Sequence, residues 1–199
     1  MTPPLVYYIR HGETDWNVEA RLQGARDIPL NAAGRAQASR CGDILRDLAG
    51  VDGRAIASLD FVSSPLGRAR QTMELLRTAL GVDRDAYRID PRLTEVSFGT
   101  WEGLTLAEVA ARDHGAVAAR EQDKWNYVPA GGESYAVMSL RLRDWYASLT
   151  RDTVAVAHGG TLRGLLVHLG IATPEVAPHL DIRQGVVYRI AEGRMAVYA

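Results

Sequence analysis

Short, mostly apolar runs that stop abruptly at polar residues or glycine alternate along this chain with longer segments of helical periodicity. The runs cover residues 5–9, 60–63 and 153–157. Runs of this length are typical of strands buried on both faces of a parallel sheet. The alternation therefore predicts an α/β fold in which helices connect the strands.

Four segments repeat apolar residues at intervals of three and four positions, which is the spacing of one helix face. They are residues 32–48, 68–80, 104–112 and 133–149. We therefore predict a three-layer α/β fold with a mostly parallel central sheet and helices on both faces.

The C-terminal region follows a different pattern. Residues 186–190 and 194–198 flank the tripeptide Ala-Glu-Gly, which predicts a β-hairpin. This hairpin adds an antiparallel edge strand to the predicted sheet.

The length of 199 residues and the hydrophobic content of 47% fit a single domain over residues 1–199. Residues 113–132 match no regular element and are predicted to form an irregular connection. Long connections in compact domains are usually functional or mobile. Residues 104–132 are therefore the candidate lid or specificity segment.

Charge and cysteine content exclude several classes of protein. The formal net charge of -1 gives no general attraction to nucleic acid or to an anionic membrane. Cys41 is the single cysteine, so the chain forms no internal disulfide, and we expect it to be a packing residue. The N-terminal sequence has no basic region followed by a long apolar stretch, which favours a cytoplasmic protein.

Three predicted strands are followed at once by residues suited to phosphate. The segments are Arg-His-Gly-Glu-Thr at 10–14, Ser-Pro-Leu-Gly-Arg-Ala at 64–69 and His-Gly-Gly-Thr at 158–161. Ligands of open α/β sheets bind at the carboxyl ends of the strands, so we expect these segments to meet.

The chemistry of these residues indicates phosphoryl transfer. An arginine offers a fork of donors that matches phosphate oxygens, and an imidazole either attacks phosphorus or donates to an oxygen. Gly12 and Gly159 are expected to let the backbone approach an anion closely, and a helix that starts after His158 would point its N–H groups at it.

The motif RHGET at residues 10–14 resembles the signature of the histidine phosphatase superfamily, also called the phosphoglycerate mutase-like family. The resemblance runs from residue 7 to about residue 163 and continues in the family's order. The similar segments are DWN at 15–17, RLQG at 21–24, LN at 30–31 with Gly34 and Gln37, SSPLGRARQT at 63–72, LTE at 93–95, FGTWEG at 98–103, GGES at 131–134 and VAHGG at 156–160.

The resemblance implies a role for each matching position. His11 is the expected nucleophile, which becomes a phosphohistidine, and Glu95 is the expected general acid, kept protonated near neutrality. The expected phosphate-binding residues are Arg10, Asn17, Gln23, Gly24, Arg68, His158 and Gly159. The scheme needs no metal and no other cofactor.

Other residues near these motifs receive structural interpretations. We expect Glu13 to orient its loop, and Arg70 and Arg163 to form ion pairs on the helices that follow the motifs. The spacing of three further histidines does not suit a metal site, and exposed or structural roles are expected for His114, His168 and His179.

The family contains phosphatases and mutases, and the sequence favours a phosphatase. Cofactor-dependent phosphoglycerate mutases carry an insertion after the general acid and a closing tail. Here Glu95 runs directly through FGTWEG to a helix near Leu104, and the chain stops soon after its last hairpin. FGTWEG and PAGGES resemble the small, broad-specificity phosphatases, including α-ribazole and sugar-phosphate phosphatases.

The expected activity is therefore metal-independent hydrolysis of small phosphomonoesters. The alternatives are a cofactor-dependent phosphoglycerate mutase and a catalytically silent module that binds a phosphorylated ligand. No G-x-G-x-x-G follows the first strand, which argues against a dinucleotide-binding enzyme. The expected partner is a small phosphorylated substrate, with no nucleic acid or membrane and with a homodimer as the candidate assembly. Specificity is expected to come from Arg120, Lys124, Trp125 and Tyr127.

Overall fold

A six-stranded mixed sheet forms the centre of the computed structural model, which describes residues 4–199. The spatial order is β3-β2-β4-β1-β5-β6. The pairs β3-β2, β2-β4 and β4-β1 are parallel, whereas β1-β5 and β5-β6 are antiparallel. The strands are β1 (Val6–Arg10), β2 (Asp60–Ser63), β3 (Arg88–Ile89), β4 (Thr153–Ala157), β5 (Val187–Ala191) and β6 (Arg194–Tyr198).

The helices connect these strands and cover the sheet. They are α1 (Asp15–Val18), α2 (Ala32–Val51), α3 (Gly67–Leu80), α4 (Leu106–Arg112), α5 (His114–Gln122), α6 (Tyr135–Ala147) and α7 (Gly159–His168). Short 3₁₀ turns occupy Ile56–Ser58, Pro91–Leu93, Gly99–Trp101 and Ala177–His179.

Alternating side chains of β1 separate two apolar layers. Tyr7 and Ile9 belong to the cluster that contains Leu45 of α2 and Met73 of α3. Tyr8 belongs to the opposite cluster, which contains residues of α6 and α7. Because successive side chains of a strand point to opposite faces, one strand packs against both helical layers. The predicted three-layer α/β architecture with its antiparallel edge is confirmed.

Strand register determines where the functional segments meet. Arg10 at the end of β1 pairs with Ala157 at the end of β4, and Ser63 at the end of β2 pairs with Val156. The residues that follow these strands therefore lie side by side at one edge of the sheet.

The prediction of an irregular connection over residues 113–132 was wrong in part, since α5 occupies His114–Gln122. Asp113 caps this helix, and its side chain accepts a hydrogen bond from the backbone N–H of Ala116. The sequence pattern concealed the helix because Gly115 lies in its first turn and its apolar face is short. Two further short elements, α1 and β3, had no periodicity to reveal them.

No helix within residues 4–199 is long and apolar enough to cross a bilayer. Cys41 lies buried in α2, and burial raises the pKa of its thiol to about 12. The cysteine is therefore a packing residue with little thiolate character.

Candidate active site

His11 follows β1 directly and is buried, with 3% of its surface exposed. Its Nδ1 lies 2.8 Å from the carbonyl oxygen of Gly12. A carbonyl only accepts, so Nδ1 carries the proton and the lone pair is on Nε2. Burial, and then the cations of Arg68 and Arg10, hold the pKa of His11 well below its usual value. The imidazole is therefore neutral and nucleophilic near pH 7.

Gly12 makes close contact with α2. This corrects the expectation that the glycine is there to let the backbone approach an anion closely. A Cβ at Gly12 would overlap the carbonyl oxygen of Gly34 in α2. The Gly12 N–H donates to the Thr72 hydroxyl at 3.0 Å. This glycine therefore lets α2 pack directly on the loop that follows His11.

Arg68 is buried in the first turn of α3, with 1% of its surface exposed. Its Nη2 donates to the carbonyl of Gly24 at 2.8 Å, and its Nη1 donates to the carbonyl of Arg26. The carboxylate of Asp27 accepts the N–H of Gly67 at 2.7 Å and thereby caps the helix. The loop at 24–27 thus fixes both the guanidinium and the start of its helix.

Arg10, at the end of β1, is held from the other side of the sheet. Its Nη1 donates to the carbonyl of Ile182 at 2.6 Å. We call residues 180–184, which precede β5, the C-terminal strap. Its contact ties Arg10, a predicted phosphate-binding residue, to a segment far away in sequence.

His158 is fully buried between β4 and α7. Its ring centroid lies 5.2 Å from that of His11. The Nε2 of His158 lies 2.7 Å from the Ser64 hydroxyl. The backbone carbonyl of His158 accepts a hydrogen bond from the Tyr8 hydroxyl at 2.9 Å. Burial, then the cation of Arg68, holds the pKa of His158 well below its usual value.

A cleft of about 140 Å³ opens between these groups. Three nitrogen atoms are buried without a hydrogen-bond partner in residues 4–199: Arg10 Nε and Arg68 Nε, whose residues line the cleft, and Nδ1 of His158, whose ring lies beside that of His11. Unpaired buried donors are unfavourable unless a ligand accepts from them. The lining residues are Arg10, His11, Asn17, Arg21, Leu22, Gln23, Gly24, Arg68, Glu95, Phe98, Tyr135, Gly159 and Arg163.

Glu95 supplies the single carboxyl group among the residues that line the cleft. Its Oε1 accepts the N–H of Val96 at 3.0 Å, and its Oε2 accepts the N–H of Gly160 at 3.1 Å. A Cβ at Gly160 would overlap Glu95 Oε1, so only glycine permits this approach. The first turn of α7 therefore donates a backbone N–H to the Glu95 side chain and holds it in place.

The phosphate-binding residues predicted near the N-terminus also line the cleft. Asn17 Oδ1 accepts from Gln184 Nε2 at 3.0 Å, and the same Gln184 nitrogen donates to the carbonyl of His11 at 3.1 Å. Gln23 is buried, and the carbonyl of Gly24 supports Arg68. Gln184 supports both residues, and no sequence motif points to it, because it lies 173 residues from His11.

Arg163 corrects the expectation of an ion pair on a helix face. It lines the cleft, and its Nε and Nη2 both donate to the carbonyl of Leu180, at 3.1 and 2.8 Å. Arg70 is exposed on α3 outside the cleft. Glu13 accepts from Asn31 Nδ2 at 2.9 Å and points away from the cleft residues, as expected for a loop-orienting group.

The side chains expected to set specificity lie behind the cleft wall. Arg120 is buried and pairs with Glu121 at 2.9 Å, and Trp125 stacks on Tyr135 with ring centroids 6.1 Å apart. Tyr135 lines the cleft, so Trp125 reaches it only through this ring. None of the four predicted specificity residues lines the cleft: Arg120, Lys124, Trp125 and Tyr127.

His114, His168 and His179 are exposed. Across the described residues, no group of three His, Cys, Asp or Glu side chains could hold a metal ion.

A buried neutral histidine, facing unpaired guanidinium and imidazole donors at the carboxyl ends of a parallel sheet, defines a phosphoryl-transfer enzyme. Residues 6–195 match the family model of the histidine phosphatase superfamily, branch 1. The chain belongs to the histidine phosphatase superfamily, whose phosphatases are phosphoric monoester hydrolases, and the predicted resemblance is confirmed.

Curated relatives include both phosphatases and mutases. The glucosyl-3-phosphoglycerate phosphatase of Mycobacterium tuberculosis is 37% identical over 171 residues, which cover 79% of this chain and 71% of the relative. A probable phosphoglycerate mutase of Salmonella paratyphi C is 35% identical over 194 residues, covering 93% of this chain and 83% of the relative.

A solved structure of the mycobacterial glucosyl-3-phosphoglycerate phosphatase in complex with VO3 superimposes with a TM-score of 0.81. The two proteins are 31% identical, and the alignment covers 100% of this chain and 98% of that chain. The fold is therefore shared along the whole length of the chain.

Proposed function

We propose that this chain hydrolyses small phosphomonoesters through a phosphohistidine at His11, without a metal ion. The observation that carries the proposal is the set of three unpaired buried nitrogens, Arg10 Nε, Arg68 Nε and His158 Nδ1, around the nucleophile. A phosphoryl group satisfies all three at once and replaces its own hydration by fixed donors.

The first step transfers the phosphoryl group to the enzyme. His11 Nε2 attacks phosphorus, the ester P–O bond breaks, and Glu95 gives its proton to the leaving alkoxide. Arg10 and Arg68 stabilise the charge on the equatorial oxygens as the transition state forms. The hydrogen bond from His11 Nδ1 to Gly12 keeps the ring in the attacking tautomer.

The second step returns the enzyme to its starting state. Glu95, now a carboxylate, takes a proton from water, the resulting oxygen nucleophile attacks phosphorus, and the P–N bond breaks. Inorganic phosphate leaves, and His11 is neutral again. Its low pKa means that no bound proton has to be removed before the next attack.

Hydrolysis is preferred over mutase chemistry because residues 96–105 connect Glu95 to α4 without an insertion. A mutase must retain a bisphosphorylated intermediate and exclude water from it. The phosphatase relative at 37% identity supports the same choice. Because a probable phosphoglycerate mutase is 35% identical, the experiment must also test for mutase activity.

Assembly, location and lid function complete the proposal. We infer a single domain over residues 1–199 in which residues 104–132 are the candidate lid or specificity segment, with Trp125 stacked on the cleft residue Tyr135. The homodimer and the cytoplasmic location stay predictions, which sedimentation velocity and cell fractionation test.

The deciding experiment measures phosphate release in EDTA from p-nitrophenyl phosphate, sugar phosphates, phosphoglycerates and nucleotides. Wild type is compared with His11→Ala and Glu95→Gln. We expect loss of release in His11→Ala. In Glu95→Gln we expect a reduction of about 10²–10⁴-fold with sugar phosphates, whose alkoxide leaving groups need a proton. Rapid quench of the wild type in alkali during turnover, where a P–N bond is stable, should trap labelled phosphate on His11.

Three outcomes separate the alternatives. Release that survives in His11→Ala contradicts the proposed nucleophile. Interconversion of phosphoglycerates primed by 2,3-bisphosphoglycerate, with no net release of phosphate, identifies a mutase. Binding of phosphate without any turnover identifies the silent module.

A further inference from the structure

A pocket of about 520 Å³ lies beside β2, apart from the active-site cleft. Its walls come from the 3₁₀ turn at Ile56–Ser58, from β2, from α3 and from residues 82–88. None of the residues that line it also lines the cleft. The pocket is therefore separate from the phosphate site, and the proposed hydrolysis gives it no role.

Arg77 of α3 lines this pocket and is buried, with 5% of its surface exposed. Its guanidinium carbon lies 4.3 Å from the centroid of the Phe61 ring, which covers one face of the group. Its Nε donates to the backbone carbonyl of Asp83 at 2.7 Å. The aromatic ring and the carbonyl together fix the plane of the guanidinium.

The two terminal nitrogens of Arg77, Nη1 and Nη2, have no hydrogen-bond partner within residues 4–199. Both keep contact with solvent, so a ligand in the pocket can reach them. The other buried arginines use these nitrogens, since Arg68 donates to two carbonyls and Arg120 Nη1 donates to Glu121. The free edge of the Arg77 fork matches the two oxygens of one carboxylate.

The other charged side chains of the pocket are already paired. Asp60 pairs with Arg88, and Asp85 pairs with Arg84 at 3.4 Å. Arg77 has no ion pair in the part of the chain that the structure describes, and burial is the largest cause of its lowered pKa. One uncompensated positive charge favours an anionic ligand, whereas the carboxylates of Asp60 and Asp85 disfavour one with several negative charges.

The rest of the lining is mostly apolar and determines the body of the ligand. The apolar side chains are Ile56, Ala57, Leu59, Phe61, Val82 and Ala86. An apolar pocket in which a few polar groups fix the orientation is typical of small-molecule sites. The ligand therefore combines one negative charge with an apolar or aromatic body.

We propose that this pocket binds a small organic monocarboxylate, whose carboxylate bridges Nη1 and Nη2 of Arg77. The apolar body of the ligand lies against the wall formed by Leu59 and Val82. The site is a second ligand site of the protein and takes no part in the proposed hydrolysis.

The test uses benzoate as the probe and follows binding by NMR of the isotope-labelled full chain. The Arg77 Nε–H and the Phe61 ring signals report on this pocket. We expect saturable shifts with a Kd of about 0.1–10 mM, a range usual for a ligand of this size. Acetate, which lacks the ring, and benzyl alcohol, which lacks the charge, should each bind about 10-fold more weakly or worse.

Three variants locate the binding. Arg77→Met keeps an apolar stem over Phe61 and removes the fork, so the Kd for benzoate should rise about 10- to 100-fold. Ala86→Trp fills the pocket from an exposed position and leaves Arg77 in place, so it should abolish binding even if Arg77→Met does not fold. Arg40→Met, on the exposed surface of α2, is the matched control and should leave the Kd unchanged.

Four results would overturn the proposal. They are shifts that do not saturate up to about 50 mM benzoate, a Kd that neither pocket variant changes, equal affinity for benzyl alcohol, and equal affinity for inorganic phosphate at the same signals. Failure of the proposed hydrolysis has a different signature, because His11→Ala should bind benzoate with the wild-type Kd whether or not the wild type turns over an ester.

Discussion

Ser64 and His158 form a buried pair in which the hydroxyl lies 2.7 Å from the imidazole Nε2. The same hydroxyl oxygen accepts the N–H of Leu66 at 3.4 Å, so its hydrogen is available to His158. A proton donated to Nε2 leaves the imidazole proton on Nδ1, the buried nitrogen that has no hydrogen-bond partner in the described chain. We therefore expect Ser64 to act through His158, as a positioning residue that favours the tautomer with its proton on Nδ1.

Ser64→Ala should lower kcat/KM about 10- to 100-fold, because His158 loses the partner that holds its Nδ1–H tautomer. Ser64→Thr, which keeps the hydroxyl, should restore most of the activity. Ser63→Ala is a matched control, since the Ser63 hydroxyl donates to a backbone carbonyl and not to the imidazole. Nitrogen NMR of labelled histidine would contradict this role if the tautomer of His158 were the same in wild type and Ser64→Ala.

Arg141 should be a positioning residue for the general acid. Its guanidinium pairs with Glu133 at 2.6 Å and donates to the carbonyls of Thr94 at 2.7 Å and Glu95 at 3.2 Å. We expect Arg141→Met to lower kcat by about 10-fold or more, since a small displacement of a catalytic group has large effects. The loss should be smallest for p-nitrophenyl phosphate, whose leaving group needs little protonation.

The matched control is Arg143→Met. Arg143 lies on the exposed face of the same helix and pairs with its neighbour Asp144 at 3.0 Å. Equal loss for activated and unactivated esters in Arg141→Met would contradict a role in positioning the acid.

Gly12→Ala should destabilise the protein by about 1–3 kcal/mol, because the added methyl group overlaps the Gly34 carbonyl of α2. Gly50 in the same helix has no heavy atom within 4 Å of an added Cβ, so Gly50→Ala should stabilise by roughly 0.5–1 kcal/mol. Urea unfolding measures both. A destabilised Gly50→Ala, or a neutral Gly12→Ala, would contradict the packing described here.

The stability of the protein should fall as the pH falls below about 6.5. Burial holds the pKa values of His11 and His158 well below their usual value in the folded state. The unfolded chain binds protons at these histidines first, so the unfolding free energy decreases by up to about 1.4 kcal/mol per pH unit for each group.

Urea unfolding at pH 7.5, 6.5 and 5.5 in phosphate-free buffer measures this slope. The slope should decrease in His11→Gln and in His158→Gln and stay unchanged in His114→Gln, whose side chain is exposed. A slope that none of the three variants changes would assign the pH dependence to other groups.

The sequence predicted the central part of the site because its signals are local. Arg10, His11 and His158 each follow a strand directly, and the strand register brings them together. The family's motif order added Glu95, whose position after a short 3₁₀ turn has no periodic signature.

Arg163 and Gln184 could not be predicted, since their roles depend on contacts with distant backbone. The carbonyl of Leu180 turns Arg163 toward the cleft, and Gln184 reaches His11 from the far end of the chain. The same limit applies to α5, where one cap at Asp113 rather than a long apolar face determines the helix.

The hydrogen bond from Arg10 to Ile182 has a consequence for protein synthesis. The nucleophile and its arginine leave the ribosome early, yet the carbonyl that orients this arginine is made 172 residues later. Strand β1 lies between β4 and β5 in the sheet, so its pairing on both sides also requires strands that are made later. We therefore expect activity to appear in one late step, once the strap and β5 have been made and folded, instead of growing with chain length.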